Sequence, residues 1–365
     1  MDEAIKTPDT SSGAWYTAKG NDCDIVISSR VRLARNLANF EFPSKMEKDD
    51  FIQVQSIVLD AFNHFEAADK YQSLAIKSLE PVGLKILEER HIFDDESYIN
   101  GGVVMRTDEK VCCTINIKDH VRIASFVSGL DFDQAFLSCH DVDAELQKGV
   151  QFAASYDYGY LTSSIKDCGS GMKLSILVHL PCLSIQHKIR ILSDNLLKKG
   201  LAVTAAYGAG ENGSSLGYYY LISSLSSSQG SEVDQLCNIK GEALRLIEIE
   251  REERDDVREN MTTVSKNILC RSLALAKNSL FIPLREAVTL IGSIKLGLSL
   301  GFIKGISDIT LSALLYRIQN AHLEYIMTKG NFNFEKDIEN SLNKKIERLR
   351  AILLQEAFED IEIAL

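Results

Sequence analysis

The stretch GGVVMRTDEKVCCTINIKDHVRI (residues 101–123) decides the fold. Two runs rich in Val, Ile and Cys flank the polar turn RTDEK (106–110), which is the pattern of a β-hairpin. Read as one continuous strand, TINIKDHVRIAS (114–125) sets Lys118, His120 and Arg122 on one face, with Val121 and Ile123 on the other. Three potential cations in a row repel one another unless an anion lies over them. The strand therefore poses two questions: which anion it holds, and which acid or base works on it.

Upstream, CDIVISSRVRLARN (23–36) reads as a second strand, with Ser28, Arg30 and Arg32 on a shared face. Guanidinium forks bind phosphate oxygens in pairs and stay charged at any working pH. Two readings stand: an anion site, or an edge strand dressed in arginine against unwanted pairing. The loop KDCGSGMK (166–173) offers Gly169 and Gly171 for close backbone approach and Lys173 for a phosphate, but lacks the P-loop spacing. Downstream, GMKLSILVHLPCL (171–183) reads as a buried strand ending at Pro181, and SIQHKIRILSDNLLKKG (184–200) as an amphipathic helix stopped by Gly200. YGAGENGSSLG (207–217) is a glycine-rich loop, either a lid or a plain surface loop. SLSSSQGSEVDQ (224–235) has linker composition.

After about residue 231 helix follows helix. VDQLCNIKGEALRLIEIEREERDDVREN (233–260) is long and charged, with Glu250 and Arg254 at i,i+4 spacing. The segment 285–303 is apolar, and Leu342, Ile346, Leu349 and Leu353 form one stripe. The expected organisation is a flexible arm over 1–20, an α+β domain over 21–231 with an antiparallel sheet flanked by helices, and an all-helical domain over 232–365.

The 365 residues suffice for two cores. Hydrophobic residues make up 45% and charged residues 25%, an ordinary globular balance. A net charge of −11 speaks against a nucleic-acid partner and leaves a local site for phosphate-bearing small molecules. The eight cysteines form no CxxC pair, so no zinc site is expected and they read as reduced thiols. No signal-peptide pattern and no membrane-length apolar run is present, so the expectation is a cytoplasmic protein.

In order and spacing, DIVISSRVRLARNLANFEFP (24–43), INIKDHVRI (115–123), GYLTSSIKDCGSGMKLSILVHLP (159–181) and YGAGENGSSLG resemble the ATP:guanido phosphotransferases, or phosphagen kinases. Within that family the helical part, notably IKLGLSLGFIKGI (294–306), resembles the bacterial protein-arginine kinases of the McsB branch. The resemblance implies ATP, with Mg²⁺, bordered by Ser28, Ser29, Arg30, Val31, Arg32, His91, Arg122, Lys173, Leu174 and Ser175. It further implies a helical domain that forms a homodimer and binds phosphoarginine, with protein substrates or phosphoarginine proteins as partners. A McsA-like zinc-binding activator and a Clp-type unfoldase are implied in the same way.

The departures all touch the chemistry. Ile117 and Lys118 stand where the family places glutamates, Ser164 where it places a cysteine, and Lys173 and Thr204 where it places arginines. The second catalytic glutamate falls near Ser214, or at Glu211 in another register. The phosphoarginine motif survives only as Arg350 and Ala351. Guanidine phosphorylation needs a carboxylate to orient the group and take a proton, and losing a general base costs about 10²–10⁴ in rate. The leading expectation is an ATP-binding homologue of weak or absent activity, acting as a regulatory or adaptor pseudokinase. The rivals are an active protein-arginine kinase with a rearranged base, such as Glu211, Asp119 or Asp167, and a structural dimer that binds no nucleotide.

Overall fold

The computed structural model describes residues 13–93, 101–210 and 214–364. The strands are β1 (Val26–Arg35), β2 (Tyr71–Ala75), β3 (Gly102–Arg106), β4 (Val111–Ile115), β5 (Val121–Ser128), β6 (Ala154–Ser155), β7 (Gly159–Tyr160), β8 (Met172–His179), β9 (Leu201–Ala205), β10 (Tyr219–Ser224), β11 (Ile303–Lys304) and β12 (Glu362–Ile363). The helices of the first part are α1 (Lys48–Asn63), α2 (Pro81–Glu89), α3 (Phe132–Gln147), α4 (Pro181–Ile185) and α5 (Ile189–Lys198). Then come α6 (Glu232–Glu259), α7 (Thr263–Asn278), α8 (Leu284–Ser299), α9 (Asp308–Arg317), α10 (Asn320–Lys329) and α11 (Leu342–Ala357).

Eight strands form one sheet in the order β2-β3-β4-β5-β1-β8-β10-β9. Every neighbouring pair is antiparallel. An antiparallel sheet flanked by helices, followed by a helical region, is thus the observed architecture. The hairpin around 106–110 forms as its sequence dictates, with the Glu109 N–H donating to the Arg106 carbonyl.

Because opposed residues in an antiparallel pair share a face, the register sorts the side chains. Val31, Leu33, Ile123, Leu174 and Ile176 point to one side, where α1, α3 and α6 close the main core. α6 contributes Leu236, Ile239, Ala243, Leu246 and Ile247 to that core, although its composition placed it with the second domain. The stretch read as a linker is packed as well: Ser227 is buried and its hydroxyl donates to the Met172 carbonyl at 2.6 Å.

Two further expectations meet a different environment. Glu250 and Arg254, an apparent solvated i,i+4 pair, are both buried. The Glu250 carboxylate accepts the backbone N–H groups of Cys182 and Leu183 at the start of α4, while Arg254 reaches Asp24 at 3.0 Å. Burial raises the Glu250 pKa against the opposing pull of Arg254 and those N–H groups. The arm read as loose contains a one-turn helix, Trp15–Thr17, with Trp15 and Tyr16 buried.

At the end of β1, Arg35 is 1% exposed and makes a paired contact with Asp143 of α3, both bonds 3.0 Å. It also donates to the Ala34 and Ser170 carbonyls and lies 3.6 Å from the Tyr160 ring centroid. Removing one member of a buried, hydrogen-bonded pair strands the other charge. Arg35→Ala is expected to lower unfolding free energy by about 3–5 kcal/mol in urea denaturation, and pairing it with Asp143→Leu should recover part of that loss.

Candidate nucleotide site

The opposite face of the sheet carries the cations. Ser28, Arg30 and Arg32 alternate along β1, with steps of about 7 Å per two residues. Arg30 stands across from Phe126 on β5 and Ser175 on β8, and Arg32 across from Ala124 and Lys173. Arg122 is opposite Ala34, so it joins the same face one step further along. Four cations, Arg30, Arg32, Arg122 and Lys173, thus share one surface, with Arg32 and Arg122 buried. A surface of this kind fits a polyphosphate, whose oxygens accept charge-assisted hydrogen bonds.

The opening stretch is not one strand. β4 ends at Ile115, Asn116 takes a left-handed φ of 57°, and pairing resumes only at Val121. The break removes His120 from the cationic face. Its Nδ1 accepts the Leu37 N–H at 2.9 Å and its Nε2 lies 2.9 Å from the Glu41 carbonyl. Burial lowers its pKa, which makes it a neutral structural residue. Ile117 packs into an apolar cluster with Ile76, Val103 and Cys112, and Lys118 is half-buried in the loop.

Asp119 organises this loop. Its carboxylate is fully buried and accepts from Arg122 Nε at 2.8 Å, Asn36 Nδ2 at 2.9 Å and the Ser163 N–H at 2.7 Å. Burial opposes ionisation, but Arg122 and these donors win and hold the pKa below its usual value. Asp167 lies 3.9 Å from the same guanidinium. Two of the carboxylates weighed as replacement bases are therefore turned onto Arg122. Glu211, the third, lies outside the described residues.

The remaining sequence-predicted positions divide by face. Ser28 and Ser175 lie with the cations. Ser29, Val31 and Leu174 point to the core side, where Ser29 donates to the Gly129 carbonyl at 2.8 Å and Val31 and Leu174 are fully buried. Only the backbone of those three borders the cationic face. His91 is exposed, in a left-handed turn after α2 with φ 56°. Ser164 precedes a short helical turn at 165–167, and Thr204 is exposed on β9 opposite Leu221. Gly171 serves protein packing: with φ +66°, a Cβ there would sit 2.5 Å from the Ala34 carbonyl oxygen and 2.6 Å from Arg35. In the glycine-rich loop, the Gly210 N–H donates to Ser214, and Arg285 of α8 ties down the Ala209 carbonyl at 2.7 Å.

Arg350 is buried in the helical part. It donates to the carbonyls of Ile318 at 2.7 Å and Ile282 at 2.9 Å and to the Asn320 side chain. Burial pushes its pKa down to about 10. Sequence reasoning missed Asn36 and Ser163, although both lie inside the recognised segments 24–43 and 159–181.

Asp119→Asn is expected to destabilise the fold at neutral pH by on the order of 3 kcal/mol, since Arg122 loses its buried counter-charge. The folded-state pKa is depressed, so the carboxylate's contribution is present above the unfolded value of about 3.9 and fades as pH falls through the folded value. Denaturation curves of wild type and variant should therefore converge toward acid.

Comparison with known proteins identifies the family. Residues 53–253 match the ATP:guanido phosphotransferase C-terminal catalytic domain, and 261–364 match the protein-arginine kinase McsB C-terminal domain. A protein-arginine kinase from Geobacillus sp. (strain WCH70) is 30% identical over 320 residues, 86% of this chain and 88% of its own. That from Shouchella clausii is 31% identical over 315 residues, 85% and 87%. Among solved structures, the duplicated taurocyamine kinase from Schistosoma mansoni aligns with a TM-score of 0.56 at 24% identity, over 62% of this chain. The match spans only 33% of that duplicated chain. Lombricine kinase aligns with a TM-score of 0.55 at 18% identity, over 66% of this chain and 70% of its own, and shows the shared fold. With both domain models matched and relatives 30–31% identical over most of its length, the chain belongs to the ATP:guanido phosphotransferase family, in the branch of the McsB-like protein-arginine kinases.

Proposed function

We propose that this chain binds Mg-ATP across the face formed by Arg30, Arg32, Arg122 and Lys173, and that it acts mainly as a regulatory or adaptor module with weak or absent arginine phosphorylation. One observation carries the reading. Two candidate replacement bases, Asp119 and Asp167, face Arg122, while Ile117 and Lys118 occupy the positions where the family resemblance expects glutamates. A cationic Lys118 repels a substrate guanidinium, and an ammonium is no base at neutral pH. Family membership implies Mg²⁺-dependent phosphoryl transfer from ATP. Mg²⁺ would arrive on the nucleotide phosphates, as it commonly does at phosphoryl-transfer sites.

The proposed partners are protein substrates or phosphoarginine proteins, a McsA-like activator and a Clp-type unfoldase, with a homodimer through the helical domain. The exposed Val264, Ile268 and Leu275 on α7, at helical spacing, support the dimer. A cytoplasmic location fits the absence, among the described residues, of any helix long and apolar enough to cross a membrane.

A second reading, an active protein-arginine kinase with a rearranged base, is favoured by the relatives, which carry that name over most of this chain. Transfer of labelled γ-phosphate from Mg-ATP to protein arginine, read as acid-labile label, separates the two. The expected outcome is no label, together with a thermal shift on adding Mg-ATP that Arg32→Ala abolishes; saturation at 100 times Kd would stabilise by about 2.7 kcal/mol. Label that disappears in Arg32→Ala would mean an active enzyme, and Glu211→Ala would then locate its base.

A further inference from the structure

An aromatic block joins the cationic face to the helical domain. Arg30 lies 5.0 Å from the centroid of the Phe126 ring. The same ring stacks on Trp15, with centroids 5.6 Å apart and planes 18° from parallel. Trp15 in turn meets Tyr316 of α9 edge-on at 5.3 Å, and Tyr16 stacks on Tyr316 at 4.7 Å. A second route starts from the same tyrosine, whose hydroxyl hydrogen-bonds Ser28. Ser28 is two residues from Arg30 on the same face of β1.

Both routes converge on Arg30, from its ring platform and from its own strand. Arginine keeps its fork useful to a phosphate only while the guanidinium plane is held, because a long side chain loses rotamer freedom on binding. A residue that fixes the platform in advance removes that cost from the binding step.

We infer that Tyr316, with Trp15, is a positioning residue for the nucleotide site: it holds Arg30 in its phosphate-binding attitude from across the domain boundary. The inference rests on the reading of the cationic face as a nucleotide site. By linkage, nucleotide on that face tightens the seat of α9 by the same factor that α9 lends to the nucleotide.

The test uses the full-length chain and calorimetric titration with Mg-ATP. Tyr316→Phe removes one hydroxyl and keeps the ring; Trp15→Leu removes the stacked platform. Each is expected to weaken Mg-ATP by roughly 2- to 30-fold. A merely structural role would weaken binding whatever stood at position 30. Arg30→Lys keeps the charge and loses the flat guanidinium, and in that background Tyr316→Phe should have little further effect. Trp15 is the single tryptophan, so its emission should also change when Mg-ATP binds the wild type and change less in Arg30→Lys. Wild-type affinity in both Tyr316→Phe and Trp15→Leu, or a loss undiminished beside Arg30→Lys, would overturn the positioning role. Absence of Mg-ATP binding in the wild type itself would overturn the nucleotide reading, and this inference with it.

Discussion

A carboxylate without water must find charge and donors inside the protein, and Asp119 does so at the centre of this fold. Its two oxygens gather Asn36 from the end of β1, Arg122 from β5 and the Ser163 N–H from the loop before β8. Asn36 continues outward, accepting the His120 N–H and donating to the Leu161 carbonyl. Three remote segments are thereby locked in one register. The lock also explains why the strand breaks after Ile115. Bringing the Asp119 carboxylate inward turns His120 into the protein and leaves Arg122 on the sheet face.

The sheet then separates two chemistries. One side is closed by α1, α3 and α6 over aliphatic residues. The other side mixes cations with a second apolar cluster that includes Trp15, Cys112, Ala124 and Phe126. Buried cations need partners: Arg122 pairs with Asp119, and Arg30 lies against the Phe126 ring. The two described carboxylates beside Arg122, Asp119 and Asp167, are both turned onto its guanidinium.

The helical region is fastened to the sheet by polar as well as apolar contacts. Lys295 of α8, fully buried, donates to the Cys23 carbonyl at 2.9 Å and pairs with Asp308. Glu89 at the end of α2 accepts the Ala321 N–H at 2.8 Å and the His322 N–H at 3.3 Å, so a residue of the first domain caps α10. Burial raises the Glu89 pKa against those two N–H groups. The stretch that reads as a linker by composition is likewise packed.

Local rules were enough for much of this structure. The hairpin at 106–110, the shared face of Ser28, Arg30 and Arg32, and the apolar α8 follow from period and turn chemistry alone, since each involves neighbours in the chain. The family segments carried the cationic face, because their order and spacing are properties of sequence. Other features depend on partners far away in the chain. Glu250 and Arg254 look solvated until α4 presents its free N–H groups and Asp24 arrives from before β1. Trp15 looks like part of a loose arm until Phe126 and Tyr316 receive it. Lys118 and His120 share a face with Arg122 only if the strand is continuous, and the break at Asn116 follows from a carboxylate seeking donors up to 83 residues away along the chain. The sequence by itself determined which cations exist and which strands bear them; tertiary structure alone decided which of them meet, because a buried charge is settled by whatever remote group can neutralise it.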